Sequence, residues 1–298
     1  MAIEVRDITK LYGEQKALDG ISFNAGKASI TGFLGPNGAG KSTMMKILTC
    51  YIPQSSGKAE VCGYDTESAS MEVRRRVGYL PEHNPLYTEM YIREFLEFAG
   101  GLYKIKNLKK RVEEMIDITG LRAESHKKIA ALSKGFRQRT GLAAALIHDP
   151  EVLILDEPTT GLDPNQLVEV RNLIKELGKA KTVLFSTHIM QEVEAVCDRA
   201  IFIKKGKIVA DEFLKDLSGE WRIRVEFNME VSAGALKSLS GVKKVEPLPR
   251  NSWIIIPENN LDPRQAIFEF AGKQGISILT LVREEKRLEE IFRSLTAE

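Results

Sequence analysis

The sequence predicts an α/β fold, a parallel sheet covered by helices, followed by a smaller α+β unit. Three observations carry that expectation. Val152-Leu153-Ile154-Leu155 is an unbroken apolar run, the pattern of a strand buried on both faces. Strands and helices alternate from there to Ile203, which implies crossover connections between parallel neighbours. A glycine-rich loop lies between a strand ending at Leu34 and a helix starting at Lys41.

Taken in order, strands are expected at Ile3 to Ile8, Gly20 to Asn24, Ser29 to Leu34 and Lys58 to Gly63, each bounded by Gly, Asn or Asp. From Met71 to about Leu146 the pattern turns mostly helical, with Leu96, Leu102, Val112, Met115 and Ile116 among its apolar positions. After the strand at Val152 a helix follows, with Asp163 as N-cap, Pro164 at its first position, and Leu167, Val170, Ile174 and Leu177 on one face. A strand (Thr182 to Ser186), a helix (Met190 to Cys197) and a strand (Ala200 to Ile203) complete the larger part.

A break near Ser218-Gly219 sets domains at 1–218 and 219–298. Beyond it the pattern reads strand Arg222 to Phe227, helix Ser232 to Leu239, and strands Lys243 to Leu248 and Trp253 to Ile256. A helix capped by Asp262 and Pro263 follows, then strand Ser277 to Val282 and a last helix with Leu288, Ile291, Phe292 and Leu295 on one face. The order β-α-β-β-α-β suggests a ferredoxin-like split unit with an extra helix. It carries no chemical motif, which fits an accessory or dimerising role.

Bulk composition narrows the function classes. The chain has 298 residues, 43% hydrophobic and 28% charged, with a formal net charge of +2. So balanced a charge argues against a nucleic-acid partner or an anionic membrane surface. The basic runs Arg74-Arg75-Arg76 and Lys127-Lys128 are short and read as solvated faces. Cys50, Cys62 and Cys197 are widely spaced and odd in number, which leaves no disulfide framework or CxxC metal site. No signal peptide is evident, and the most apolar windows fall far short of the ~20 residues of a spanning helix. A cytoplasmic location is expected.

The chemistry concentrates in two places. Gly35-Pro36-Asn37-Gly38-Ala39-Gly40-Lys41-Ser42 matches G-x-x-x-x-G-K-[ST] between a strand and a helix, the context that motif requires. Glycines let backbone N–H groups converge on phosphate oxygens, and the helix N-terminus adds positive partial charge. Lys41 supplies a mobile cation for the β- and γ-phosphates, and Ser42, next to Thr43, a hydroxyl for Mg²⁺. A chance glycine turn is the competing reading, and the full octet in this context argues against it. The second place is Asp156-Glu157 at the C-terminal end of the apolar strand, where open α/β sheets build their sites. Asp156 is placed to hold Mg²⁺ and Glu157 to polarise an attacking water. Adjacent acids alone would equally serve to solubilise a strand end.

Phosphate loops serve many enzymes, and the choice among them rests on Leu132-Ser133-Lys134-Gly135-Phe136-Arg137-Gln138-Arg139. This segment resembles the signature of the ABC ATPases, usually LSGGQ, with Ser133 and Gly135 offering a hydroxyl and an N–H at a helix start. Lys134 and Phe136 depart from that pattern. Further pieces fall in family order. Tyr12 resembles the adenine-stacking aromatic, Glu82 stands where a Mg²⁺-sensing glutamine is usual, Gly161-Leu162-Asp163 looks like the D-loop, and His188 resembles the switch histidine that contacts the γ-phosphate. The resemblance covers residues 1 to about 215. It implies a P-loop NTPase of ABC type, with a parallel core sheet, an antiparallel β subdomain and a helical signature subdomain. It also implies ATP and Mg²⁺ as ligands and a head-to-tail dimer with a second copy or a paralogous ATPase subunit. A separate transmembrane permease subunit would place the protein peripherally on the cytoplasmic face of the inner membrane.

Glu82, a single nucleotide-binding domain and the C-terminal extension resemble the bacterial exporter branch that handles drugs, sodium or polymers. Residues 78–87, 124–139 and 186–195 are similar to the gliding-motility-associated ATP-binding subunits of Bacteroidetes. In the family, the aromatic stretch with Tyr87, Met90, Tyr91, Phe95 and Phe98 forms a groove for the membrane subunit; the same residues would equally fill a helical core. The alternative function is a soluble ABC ATPase remodelling ribosomes or DNA. Such proteins usually carry two nucleotide-binding domains or a long coiled-coil insertion in one chain, and this chain has neither.

Overall fold

The computed structural model describes residues 1–217, 221–258 and 261–285. It divides into two compact units, Met1–Leu214 and Lys215–Glu298. The larger begins with a long hairpin, β1 (Ile3–Tyr12) and β2 (Gln15–Ala25), followed by β3 (Ile30–Leu34) and helix α1 (Lys41–Leu48). Then come β4 (Ser56–Val61), β5 (Tyr64–Asp65), α2 (Ser70–Arg76) and β6 (Val77–Leu80). Helices α3 (Ile92–Gly101), α4 (Leu108–Ile118) and α5 (Lys134–Leu146) follow. The unit closes with β7 (Val152–Asp156), α6 (Pro164–Gly178), β8 (Thr182–Thr187), α7 (Met190–Val196), β9 (Arg199–Lys204) and β10 (Lys207–Phe213).

Two sheets result. One is antiparallel, in the order β2-β1-β4-β5; the other has the order β10-β9-β3-β8-β7-β6 and is parallel except for β10. Every residue of β3, β7 and β8 is buried, as a strand covered on both faces requires. Ile3, Val5 and Phe23 from the antiparallel sheet, Met44, Met45 and Leu48 from α1, and Ile154, Leu184 and Ile201 from the parallel sheet share one core. Burying each such side chain contributes about 1.5–3 kcal/mol. Because β3, β8 and β7 are neighbours, with Leu34 beside Thr187 and Asp156 beside Ser186, the loops leaving their C-terminal ends emerge together.

Several expectations need correction. β6 lies inside the stretch expected to be mostly helical, and β10 was not anticipated at all. β1 and β2 are longer than expected because their pairing continues to Tyr12 and Gln15 through three register shifts, the first of them spanning Asp7 at φ 51°. β4 stops at Val61 since Cys62 and Gly63, both left-handed, turn the chain into β5. Asp163 caps α6 as expected, its Oδ1 accepting from Gln166 N at 2.9 Å.

The short helix α8 (Leu214–Leu217) crosses the boundary, and the smaller unit continues with β11 (Trp221–Phe227), α9 (Ala233–Lys237), β12 (Val242–Leu248), β13 (Ser252–Pro257), α10 (Arg264–Gln274) and β14 (Ile278–Glu285). Its strands form one antiparallel sheet in the order β12-β13-β11-β14. Alternation in β11 turns Trp221, Ile223, Val225 and Phe227 into a core with Leu236 and Ile267 from its helices. Ser232 caps α9, whereas Asp262 accepts from Arg264 N without forming the expected side-chain cap of α10. The break expected at Ser218-Gly219 and the expected last helix, with Leu288, Ile291, Phe292 and Leu295, lie outside the described residues.

Candidate functional site

The glycine-rich loop is shaped by positions that no other residue suits. Gly40 has φ 112°, and a Cβ there would come within 2.6 Å of the Ala17 carbonyl. A Cβ on Gly35 would collide with the Ile203 carbonyl. At Gly38, φ 77°, a Cβ would stand in open space, so the loop keeps a cradle that a side chain would fill. Pro36, Asn37 and Ala39 complete the turn, Ala39 N donating to Pro36 O at 3.1 Å, and Gly206 N donates to Ala39 O at 2.9 Å. Lys41, 6% exposed, donates through Nζ to Gly35 O at 2.8 Å and lies 3.3 Å from Glu157 Oε1.

Glu157 is the hub of the site. It follows β7 with φ 49°, a left-handed backbone rare for a glutamate, and its N–H donates to Ser186 O and Oγ, each at 3.1 Å. That turn, rather than strand alternation, aims its carboxylate. Oε1 faces Lys41, while Oε2 accepts from Thr160 Oγ1 at 3.2 Å and lies 2.9 Å from His188 Nδ1. Asp156, also buried, accepts at Oδ1 from Ser186 Oγ at 2.5 Å. The structure therefore brings Gly35–Lys41, Asp156, Glu157 and His188 together. Thr160 and Ser186 belong to the cluster too, as hydrogen-bond partners of the carboxylates, a role that an isolated hydroxyl does not signal in the sequence.

Ser42, Glu82 and Asp156 line one cavity of about 910 Å³, which also has Tyr79, Phe95, Tyr103 and His148 on its walls. Burial pushes the Tyr79 phenol well above its ordinary range, and the Asp156 and Glu82 carboxylates push the same way. A serine hydroxyl and two carboxylates are hard oxygen donors, the set that Mg²⁺ prefers alongside water and phosphate. Thr43 is half-buried in the first turn of α1. Among the described residues no group of three or more His, Cys, Asp or Glu could hold a metal ion by itself.

The remaining expected residues lie apart. Tyr12 is half exposed at the end of β1, with Lys10 Nζ 5.4 Å from its ring centre. Ser133 caps α5, accepting from Phe136 N at 3.4 Å, and Gln166 Nε2 donates to it at 3.5 Å. A Cβ on Gly135 would meet the Gln166 amide, a side-chain end that can move aside, whereas Gly161 has φ 72°, a backbone that favours glycine. No hydrogen bond among the described residues joins Ser133 or Gly135 to the glycine-rich loop.

Comparison with known proteins shows the family and the fold. Residues 18–160 match the ABC transporter family. The chain is 33% identical to the bacitracin transport ATP-binding protein of Bacillus licheniformis, covering 98% of this chain and 96% of the relative. It is 32% identical to a daunorubicin resistance ATP-binding protein of Streptomyces coeruleorubidus, covering 100% and 96%. Among solved structures, a dimeric ATP-binding cassette in a post-hydrolysis state with ADP and phosphate matches at TM-score 0.65 and 26% identity, covering 71% of this chain and 98% of that one. The cbiO1 protein of Clostridium perfringens, part of an ABC transporter complex, matches at TM-score 0.65 and 29% identity, covering 72% and 89%.

Proposed function

The chain belongs to the ABC transporter ATP-binding family and is an ABC-type ATPase, and from that premise we propose that it energises an exporter as a dimer bound to a separate transmembrane subunit. The observation that carries the reading is Glu157, held between Lys41 and His188 at the mouth of the glycine-rich loop.

The loop N–H groups and Lys41 would hold the β- and γ-phosphates of ATP, with Tyr12 against the adenine. Ser42, Asp156 and Glu82 would hold Mg²⁺, which when bound neutralises charge on the phosphate oxygens. Glu157 takes the proton of the attacking water, a role worth about 10²–10⁴-fold in rate. His188 keeps that carboxylate oriented and presents its imidazole to the γ-phosphate. Ser133 and Gly135, capping α5 away from the chain's own loop, are placed to serve the loop of a second copy or a paralogous subunit. The dimeric cassette of similar fold supports that arrangement.

Tyr87, Tyr91 and Phe98 are exposed, with Tyr87 packed edge-on to Phe98 at 5.5 Å, while Phe95 is buried. The exposed three are proposed as the surface that receives the membrane subunit, Phe95 as its support. No helix among the described residues is long and apolar enough to cross a membrane, consistent with peripheral attachment. A cargo of the kind named for the antibiotic-transport and resistance relatives fits this reading, and a role in gliding is a narrower proposal resting on residues 78–87, 124–139 and 186–195 alone.

Tagged Glu157→Gln protein, captured from native membranes with ATP and mild detergent, should recover a multi-spanning protein. Adding Tyr87→Ala and Tyr91→Ala should reduce that recovery while basal ATPase of the same changes in the wild-type background persists. Recovery of ribosomes or nucleoprotein without any integral membrane protein would overturn the transporter reading.

A further inference from the structure

Glu192 in α7 is completely buried, a place an ionisable side chain rarely occupies unpaired. Its Oε2 accepts a hydrogen bond from Thr187 Oγ1 at 2.8 Å. Its Oε1 has no hydrogen-bond partner among the described residues, and Nη2 of Arg171 in α6 stands 3.9 Å away. Arg171 Nε is likewise buried without an acceptor. Well-packed apolar residues would serve stability at least as well as this loosely closed pair, so folding alone gives little reason for it.

Thr187 is the residue the pair acts on. It ends β8, its carbonyl accepts from Gly35 N at 3.4 Å, and its Oγ1 accepts from Ile189 N at 3.1 Å while donating to Glu192. His188 lies between two residues pinned by the same hydroxyl, and its Nδ1 is 2.9 Å from Glu157 Oε2. The platform beneath is tight as well. A Cβ on Gly32 of β3 would come to 3.0 Å from Val193 and Cys197, so α7 sits directly on the sheet.

We propose that Glu192 is a positioning residue for hydrolysis: through the Thr187 hydroxyl its carboxylate fixes the backbone on either side of His188, and hence the direction in which the imidazole meets Glu157. Arg171 balances the charge of Glu192 from α6. The inference rests on the reading of His188 as part of the hydrolytic site.

The test is a mutant cycle on ATP turnover. Thr187→Val should lower kcat about tenfold, the kinetic equivalent of one hydrogen bond, with KM for ATP held within about twofold. Thr187→Ser, which keeps the hydroxyl, should restore most of the rate. In a His188→Ala background Thr187→Val should cost nothing further, because the group it positions is gone. Glu192→Gln, which retains an acceptor for Thr187, should lose less than Glu192→Ala; if the alanine variant does not fold, the Thr187 pair decides. An equal loss from Thr187→Val in both backgrounds, or a raised KM at unchanged kcat, would overturn the inference alone. Full turnover in His188→Ala by itself would overturn the reading of the site and this inference with it.

Discussion

Glu157 combines a strained backbone with a crowded carboxylate. A non-glycine residue at φ 49° costs about 1–3 kcal/mol, and the structure holds it there with two acceptors on its N–H and three partners on its oxygens. Other acids, Asp7 and Asp149, share the left-handed backbone, but Glu157 combines it with a carboxylate held against Lys41 of the phosphate loop and His188, as a pre-aimed base requires. Glu157→Gln preserves the shape and removes the basicity. Single-turnover hydrolysis by that variant should fall about 10²–10⁴-fold while equilibrium binding of ATP stays near wild type. A loss smaller than tenfold would remove Glu157 from the role of base. The sequence pointed to Glu157 by its place after an apolar run; it could not show the left-handed turn, nor that Thr160 would close the other side of the carboxylate.

Elements were legible where burial was complete and obscure where it was partial. Runs such as Val152–Leu155 declare themselves because both faces need apolar side chains, whereas β10 is a charged, largely exposed edge strand whose pattern resembles a loop. β6 hid for a different reason. Gly78 breaks its short apolar pattern, and the structure needs a glycine there because a Cβ would collide with the Ala145 carbonyl at the end of α5. The same junction carries His148, stacked on Tyr103 with ring centres 3.9 Å apart and with Nε2 3.1 Å from the Val77 carbonyl. Burial pushes its imidazole down from 6.5 to about 4. Above pH 6.5 the ring is neutral folded or unfolded, so its contribution is constant. Between 6.5 and about 4 the unfolded chain binds a proton that the folded protein refuses, and stability falls as pH falls. From pH 7 to pH 5 this group should remove about 2 kcal/mol. Urea midpoints at the two pH values should therefore differ less in His148→Gln than in the wild-type protein. Equal differences would mean that His148 is not excluded from protonation in the fold.

At the scale of the whole molecule, two of the hydrophobic clusters among the described residues lie in different units: one is built from strands and helices between Ala2 and Ile203, the other from Trp221 to Ala271. Each unit thus has its own source of hydrophobic stabilisation, and every residue assigned here to ATP lies in the larger one. Ligand binding stabilises only what it binds in the folded state. ATP at about a hundred times its dissociation constant adds about 2.7 kcal/mol, which for a unit of this size raises its midpoint by about 5–10 °C. Scanning calorimetry of the Glu157→Gln protein, chosen so that the ligand survives the scan, should resolve two transitions. ATP should move the one that belongs to the larger unit and leave the other in place. A single transition that moves as a whole would mean that the smaller unit folds only as part of the ATPase.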